Sequence, residues 1–262
     1  MTVVTALVLY VDGHLPANVP SEAPPYSPTL LAQALKSVDA RGVVDLAQLK
    51  ANHAPLEDFV SSLAAVSPDS APQRFESVEA RLAYWLNAYH AMVLAELLDA
   101  RGTQASSASA YLDAVPIGGT RMTRFAISRN YFESCGDARV WLTLFDGTKS
   151  SGVLDGAPFD TETLNAQLDD AARRFVRKNV SIASATVTLP EVFRAHREEF
   201  LAALPEQRKN VLQIVWAFLP DACEAGAPGC ATRGELDRAC GNTFEKCQVV
   251  FAPRDATLAV KN

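Results

Sequence analysis

Apolar side chains in this chain recur mostly three and four positions apart. On that spacing residues 28–37, 46–66 and 77–101 are expected to be helices, the last opened by Ser77 as N-cap with Glu79 in its first turn. A polar loop at 102–110 and a short helix or turn at 111–115 follow. The period then changes. Residues 124–128 and 139–145 read as strands, the second with Val140, Leu142 and Leu144 alternating against Trp141 and Thr143. Asp160 is placed to cap a helix reaching residue 178, with Leu164, Leu168, Ala171, Ala172 and Phe175 as its buried stripe. Residues 180–182 and 186–189 flank Ala183-Ser-Ala185 as a hairpin. Pro190 and Pro205 suit the first turns of helices at 190–204 and 205–219, and a short strand at 248–251 closes the chain. Pro16, Pro20, Pro24 and Pro25 make residues 1–27 an extended arm. No internal repeat is visible. Many helices and few, locally paired strands predict an α+β fold: a helix-rich single domain over 28–220, with a small, mostly antiparallel sheet. Residues 221–262 form a cysteine-stapled C-terminal segment packed on the same domain.

The run Arg81-Leu-Ala-Tyr-Trp-Leu-Asn-Ala-Tyr-His-Ala91 sits in the most apolar of these helices. Leu82, Trp85, Leu86, Tyr89 and Val93 make a core-facing stripe, while Asn87 and His90, three apart, lie together on a neighbouring face. That face either borders a pocket or bonds the backbone of an adjacent segment, as buried polar groups must.

The same run resembles the Tyr/Phe-Trp-Ile-Asn-Ala-Tyr-Asn-Ala signature of the family called domain of unknown function 547 (DUF547). Gly42-Val-Val-Asp45 with Leu49, Gly136-Asp-Ala-Arg-Val140, the helix from Leu164 to Phe175 and the stretch from Leu189 to Phe200 resemble further segments of that family in the same order. Pro253-Arg-Asp-Ala-Thr-Leu258 is a fainter echo of its close, so the resemblance runs from about Leu30 onward. Family members carry His-Phe-Ala-Leu-Asn-Cys-Ala-Ser-x-Ser-Cys-Pro-Pro-Leu after the Gly-Asp-Pro-Arg turn, and a Cys near a His is the pairing expected of an activated thiolate. Here Trp141 stands for the His, Phe145 for the Asn, and Asp146 and Ser151 for the two Cys. Thiolate chemistry is thereby excluded at those positions. In the other direction, His90 and His196 stand where the family has Asn and Tyr.

A formal net charge of −6 and a pI near 5.3 argue against a nucleic-acid surface, which requires clustered cations. Arg173, Arg174, Arg177 and Lys178 gather at a helix C-terminus, where the helix dipole favours them anyway. The longest apolar run, from Val3 to Tyr10, is broken by Thr5 and is too short to span a bilayer or to serve as a full secretory signal. Four of the five cysteines, Cys223, Cys230, Cys240 and Cys247, cluster near the C-terminus, and Cys135 stands apart. Two disulfides would staple a segment poor in apolar side chains, each contributing roughly 2–4 kcal/mol. A zinc site would favour tighter Cys-x-x-Cys pairs. Disulfides and a periplasmic or extracellular location are therefore expected, with Cys223–Cys230 and Cys240–Cys247 one of three connectivities.

A rebuilt active site would have to draw on His90, Asp146, Ser151 and His196, with Ser150 adjacent. Ser151 with a histidine base gives a hydrolase, but Lys149-Ser-Ser-Gly-Val153 is not a Gly-x-Ser-x-Gly elbow. A His90, His196 and Asp146 metal site lacks any His-x-x-x-His pair, so no metal or other cofactor is expected. Asp146 before Gly147 is ordinary turn chemistry. The reading that results is a non-catalytic, exported binding or scaffolding module for an unknown protein or small-molecule partner. Its expected pocket is formed by Trp85, Asn87, Tyr89, His90 and Trp141, with Trp141 and Phe145 plugging the former active site. The alternative is a hydrolase or transferase with a rebuilt Ser/His or His/Asp site.

Overall fold

The computed structural model describes residues 24–99, 112–206, 210–223, 230–241 and 243–261. The expected N-terminal arm up to residue 23, the polar loop at 102–110 and the inside of the first cysteine loop lie outside them.

The fold is organised around one buried helix. Chain order begins with α1 (Pro28–Ala34), which runs into a 3-10 turn at Leu35–Ser37. Strand β1 (Val44–Asp45) follows, then α2 (Leu46–Ala51) and α3 (Ala54–Leu63). The single helix expected over 46–66 is thus two: Asn52 leaves helical geometry, and Pro55, which has no N–H to donate, is tolerated only in the first turn of a new helix. Helix α4 (Val78–Asp99) begins where Ser77 Oγ accepts from Ala80 N at 3.0 Å. Every residue from position 82 to 94 is buried, so α4 is enclosed on all sides and the face carrying Asn87 and His90 packs on protein as well.

Strands β2 (Ala114–Ile117) and β3 (Thr120–Thr123) pair antiparallel where a helix or turn was expected. Gly118 and Gly119 make their two-residue turn at φ +57° and +82°, as tight hairpins demand. Helix α5 (Arg124–Ile127) starts at Thr123, whose Oγ1 accepts from Ala126 N, and continues as a π-helical turn, Ser128–Phe132. The strand expected at 124–128 is therefore helical, because a capping Thr decides what a short apolar run cannot. The same holds for α6 (Arg139–Thr143), expected as a strand. Asp137 accepts from Arg139 N and Nε, and Val140, Trp141, Leu142 and Thr143 are all buried, so their alternation does not mark a wet and a dry face.

Helix α7 (Leu164–Asn179) buries the expected stripe of Leu164, Leu168, Ala171, Ala172 and Phe175. Asp160 sits one turn upstream of it, accepting from Glu162 N rather than capping the helix. Strands β4 (Ser181–Ala183) and β5 (Thr186–Pro190) form the expected hairpin, with Ser184 at φ +55° in its turn. Pro190 ends β5 instead of opening a helix, and the expected helix at 190–204 is split into α8 (Val192–Ala195) and α9 (Arg197–Ala202) by His196. Helix α10 (Val211–Phe218) starts at the Asn210 cap, later than the expected Pro205. Helix α11 (Arg233–Cys240) carries a complete capping box between Thr232 and Glu235. Strand β6 (Gln248–Ala252) pairs in parallel with β5, and β7 (Val260–Lys261) in parallel with β1.

The class is α+β, with eleven α-helices among the described residues. The strand content is divided among three small sheets rather than gathered in one, with two antiparallel and two parallel pairings. Disulfides join Cys223 to Cys230 and Cys240 to Cys247, the nearest-neighbour connectivity, and Cys135 is free. No helix among the described residues is long and apolar enough to cross a membrane.

Candidate functional site

A cleft of about 640 Å³ opens where α6, the loop after it, the end of β5, His196 and the loop after β6 meet. Trp141 forms part of its wall, buried to 6% exposure and stacked on His196 with ring centroids 3.6 Å apart and planes 11° from parallel. His196 occupies the break between α8 and α9, which turns its ring inward, and its Nδ1 lies 3.3 Å from Glu199 Oε1. This carboxylate and the indole face hold the imidazole in place. Tyr89 also lines the cleft, with the Arg124 guanidinium 5.5 Å over its ring. Arg124 is 2% exposed and forms a two-pronged pair with Glu96 at 2.6 and 2.9 Å. Burial pushes the Glu96 carboxyl up despite that cation.

The loop from Asp146 to Gly152 is knitted together by its own polar groups. Asp146 Oδ1 accepts from Thr148 N at 3.0 Å and from its hydroxyl at 2.6 Å, and Oδ2 meets Arg254 at 2.6 Å. Ser151 Oγ donates to Thr148 O at 2.8 Å and accepts from Asp146 N at 3.2 Å. Positions 146 and 151, where the resembling sequences carry cysteine, are thus in direct contact. Ser150 Oγ donates to Asp255 O at 2.9 Å. Lys149 N donates to Thr257 O and Ala259 N to Gly147 O, which docks the C-terminal segment against the loop.

Three residues expected in the pocket lie behind its wall. Asn87 pins the backbone of Phe159 from both sides, donating to its carbonyl at 2.9 Å and accepting from its N–H at 2.8 Å. His90 Nε2 accepts from Phe145 N at 3.1 Å, and its ring is also bonded to the Thr143 backbone. Desolvation drives the His90 pKa down to about 3, so the ring is neutral. Trp85 stacks on Tyr131 at 3.8 Å within the core. Burying an amide and an imidazole here is explained by backbone groups at 143, 145 and 159 that helices and sheets leave unpaired. Phe145, expected as a plug, is itself buried beside His90, and the cleft is open.

The structure therefore brings together Tyr89, Trp141, Asp146, Ser151 and His196, and leaves Trp85, Asn87 and His90 outside. Arg124, Lys149, Glu191, Arg254 and Asp255 also line the cleft and are not marked by any sequence motif of known chemistry. Among the described residues, no group of three or more His, Cys, Asp or Glu is placed to hold a metal ion.

Residues 73–176 match the family model described as "Protein of unknown function, DUF547". Over this span the chain is similar to DUF547. No curated protein and no solved structure gives a significant match. The DUF547 segment contributes Tyr89, Arg124, Trp141, Phe175 and the 146–152 loop to the cleft. The opposite wall, with Asn179, Glu191, His196 and Arg254, comes from chain beyond it.

Proposed function

We propose that this DUF547 protein is an exported, non-catalytic binding module that holds a small molecule in the cleft between Trp141, His196 and the 146–152 loop. The observation that carries this reading is the engagement of each candidate catalytic group in wall-building bonds. Ser151 and Ser150 hydroxyls donate to the Thr148 and Asp255 carbonyls, Asp146 is paired with Arg254, and His196 faces Glu199. A serine nucleophile needs a base within hydrogen-bond reach, and neither serine hydroxyl is bonded to a histidine. The open volume falls within the range of small-molecule sites. Two disulfides support an oxidising compartment, periplasmic or extracellular.

The test combines a thermal-shift screen of small polar and aryl compounds with fluorophosphonate labelling and a panel of ester and amide substrates. Ligands whose stabilising effect is lost in Trp141→Ala, with no labelling and no turnover, support the reading. Labelling of Ser150 or Ser151, or turnover abolished by His196→Gln, establishes the hydrolase instead.

A further inference from the structure

We propose that the cleft recognises an uncharged sugar, its hydroxyls bonded by Glu191, Asn179 and Lys149 and its C–H face set against the Trp141–His196 wall. The inference rests on the cleft being a binding site and names its ligand class. Histidine aside, the charged side chains of the lining balance: Arg124, Lys149 and Arg254 stand against Asp146, Glu191 and Asp255. Most are already matched. Arg254 holds Asp146 at 2.6 Å, Arg124 is clamped by Glu96, and Arg194 donates to Glu191 Oε1. Lys149 and Asp255 remain, one of each sign, and the bonds from Thr257, with the field of Lys149 added, keep the Asp255 carboxyl below the usual carboxylate range. An ion entering the cleft finds no unmatched counter-charge to offset the loss of its water.

Open hydrogen-bonding capacity then selects among neutral molecules. Both Arg194 bonds fall on Glu191 Oε1, and no donor among the described residues reaches Oε2. Asn179 Nδ2 donates to Phe175 O at 3.0 Å, which leaves Oδ1 to accept. Lys149 spends its backbone N–H on Thr257 O, and its ammonium supplies further donors. A hydroxyl is the neutral group that donates to such oxygens and accepts from an ammonium at the same time. A purely apolar ligand would cover these atoms and leave them unbonded. The facing surface is apolar, built from the stacked Trp141 and His196 rings with Val192 and Pro253. A pyranose carries both complements, a rim of hydroxyls and a C–H face, and a cleft of about 640 Å³ admits it.

The test uses the full chain with its disulfides intact and the methyl glycosides of glucose, galactose and mannose, each set beside its uronate and its 2-amino form. Binding is read from the Trp141 indole N–H resonance, assigned with Trp141→Phe. At least one neutral glycoside is expected to bind, about tenfold more tightly than either charged form of the same ring. Glu191→Ala should weaken that neutral sugar about tenfold while the Trp141 resonance of the free protein stays in place. Lys149→Gln and Asp255→Asn, both at exposed positions, unbalance the cleft in opposite directions. The first should favour the amino sugar over the uronate and the second the reverse, a crossover that a merely unfolded variant does not give. A uronate or amino sugar that outbinds its neutral parent, or variants without the crossover, overturns the argument from charge balance. If no sugar moves the signal while a compound of another class does, the sugar assignment falls and the cleft remains a binding site. If no compound of any class moves it, the binding reading falls as well.

Discussion

His90 offers a quantitative test of how the core holds the cleft loop. Its ring is buried and neutral, accepting from Phe145 N at 3.1 Å, with a pKa of about 3 against 6.5 in an unfolded chain. The folded value is the lower one, so as pH falls below 6.5 the unfolded state takes up the proton first. Stability is fully present above that value and is lost progressively down to about pH 3. A depression of this size corresponds to about 5 kcal/mol over the window, at about 1.4 kcal/mol per pH unit. Replacing His90 with Gln removes this linkage but loses the backbone bonds, at a cost of about 2 kcal/mol near neutral pH. The two stability curves should therefore cross near pH 5 (about), below which the variant is the more stable protein. Urea unfolding of both proteins at steps from neutral to acid pH, disulfides intact, measures the difference directly and cancels the contribution of carboxylates common to both. A wild-type minus variant difference that does not change with pH would refute a buried, uncharged imidazole at this position.

Other perturbations address other parts of the fold. Asn87→Leu leaves the Phe159 N–H and carbonyl without their partner and should cost about 3 kcal/mol, read as a lower urea midpoint. Gly118→Ala would place a Cβ 2.2 Å from Ser67 Oγ at φ +57°, and should lower stability by about 1–3 kcal/mol; Gly119→Ala, with nothing within 4 Å, should cost less. Alkylation without reductant should modify Cys135 alone, and reduction should expose four more thiols while removing roughly 2–4 kcal/mol per bridge; four thiols alkylated before reduction would contradict the pairing.

The parts of the fold that could be read from sequence are those with one wet and one dry face. Helix α7 shows its stripe because Leu164, Leu168 and Phe175 are buried while Arg173 and Arg177 are not. The β4–β5 hairpin is legible from its alternation and small turn residues. Helices α5 and α6 are misread as strands because their residues are almost all buried, which erases the period, and because local polar bonds carry the decision: the Thr123 cap of α5, and Asp137 accepting from Arg139 N ahead of α6. In the cleft, Trp141, Asp146, Ser151 and His196 could be named from a family pattern. Lys149 and Arg254 could not, since their place depends on a C-terminal segment folding back across more than a hundred residues to meet Asp146. Asn87 and His90 drew attention as rare polar residues in an apolar helix, and the backbone groups they satisfy become visible only in three dimensions.

Because Arg254 reaches across to Asp146 and the Thr257 carbonyl receives Lys149 N, the cleft wall is shared between the segment that the family model matches and chain beyond it. A fragment cut at residues 73 and 176 would keep Trp141 and lose the histidine stacked upon it. Chains alike over that span can therefore differ in the opposite wall of the cleft, which the flanking chain builds. Comparing their clefts requires the partners of positions 146, 149 and 196 as well as the shared segment.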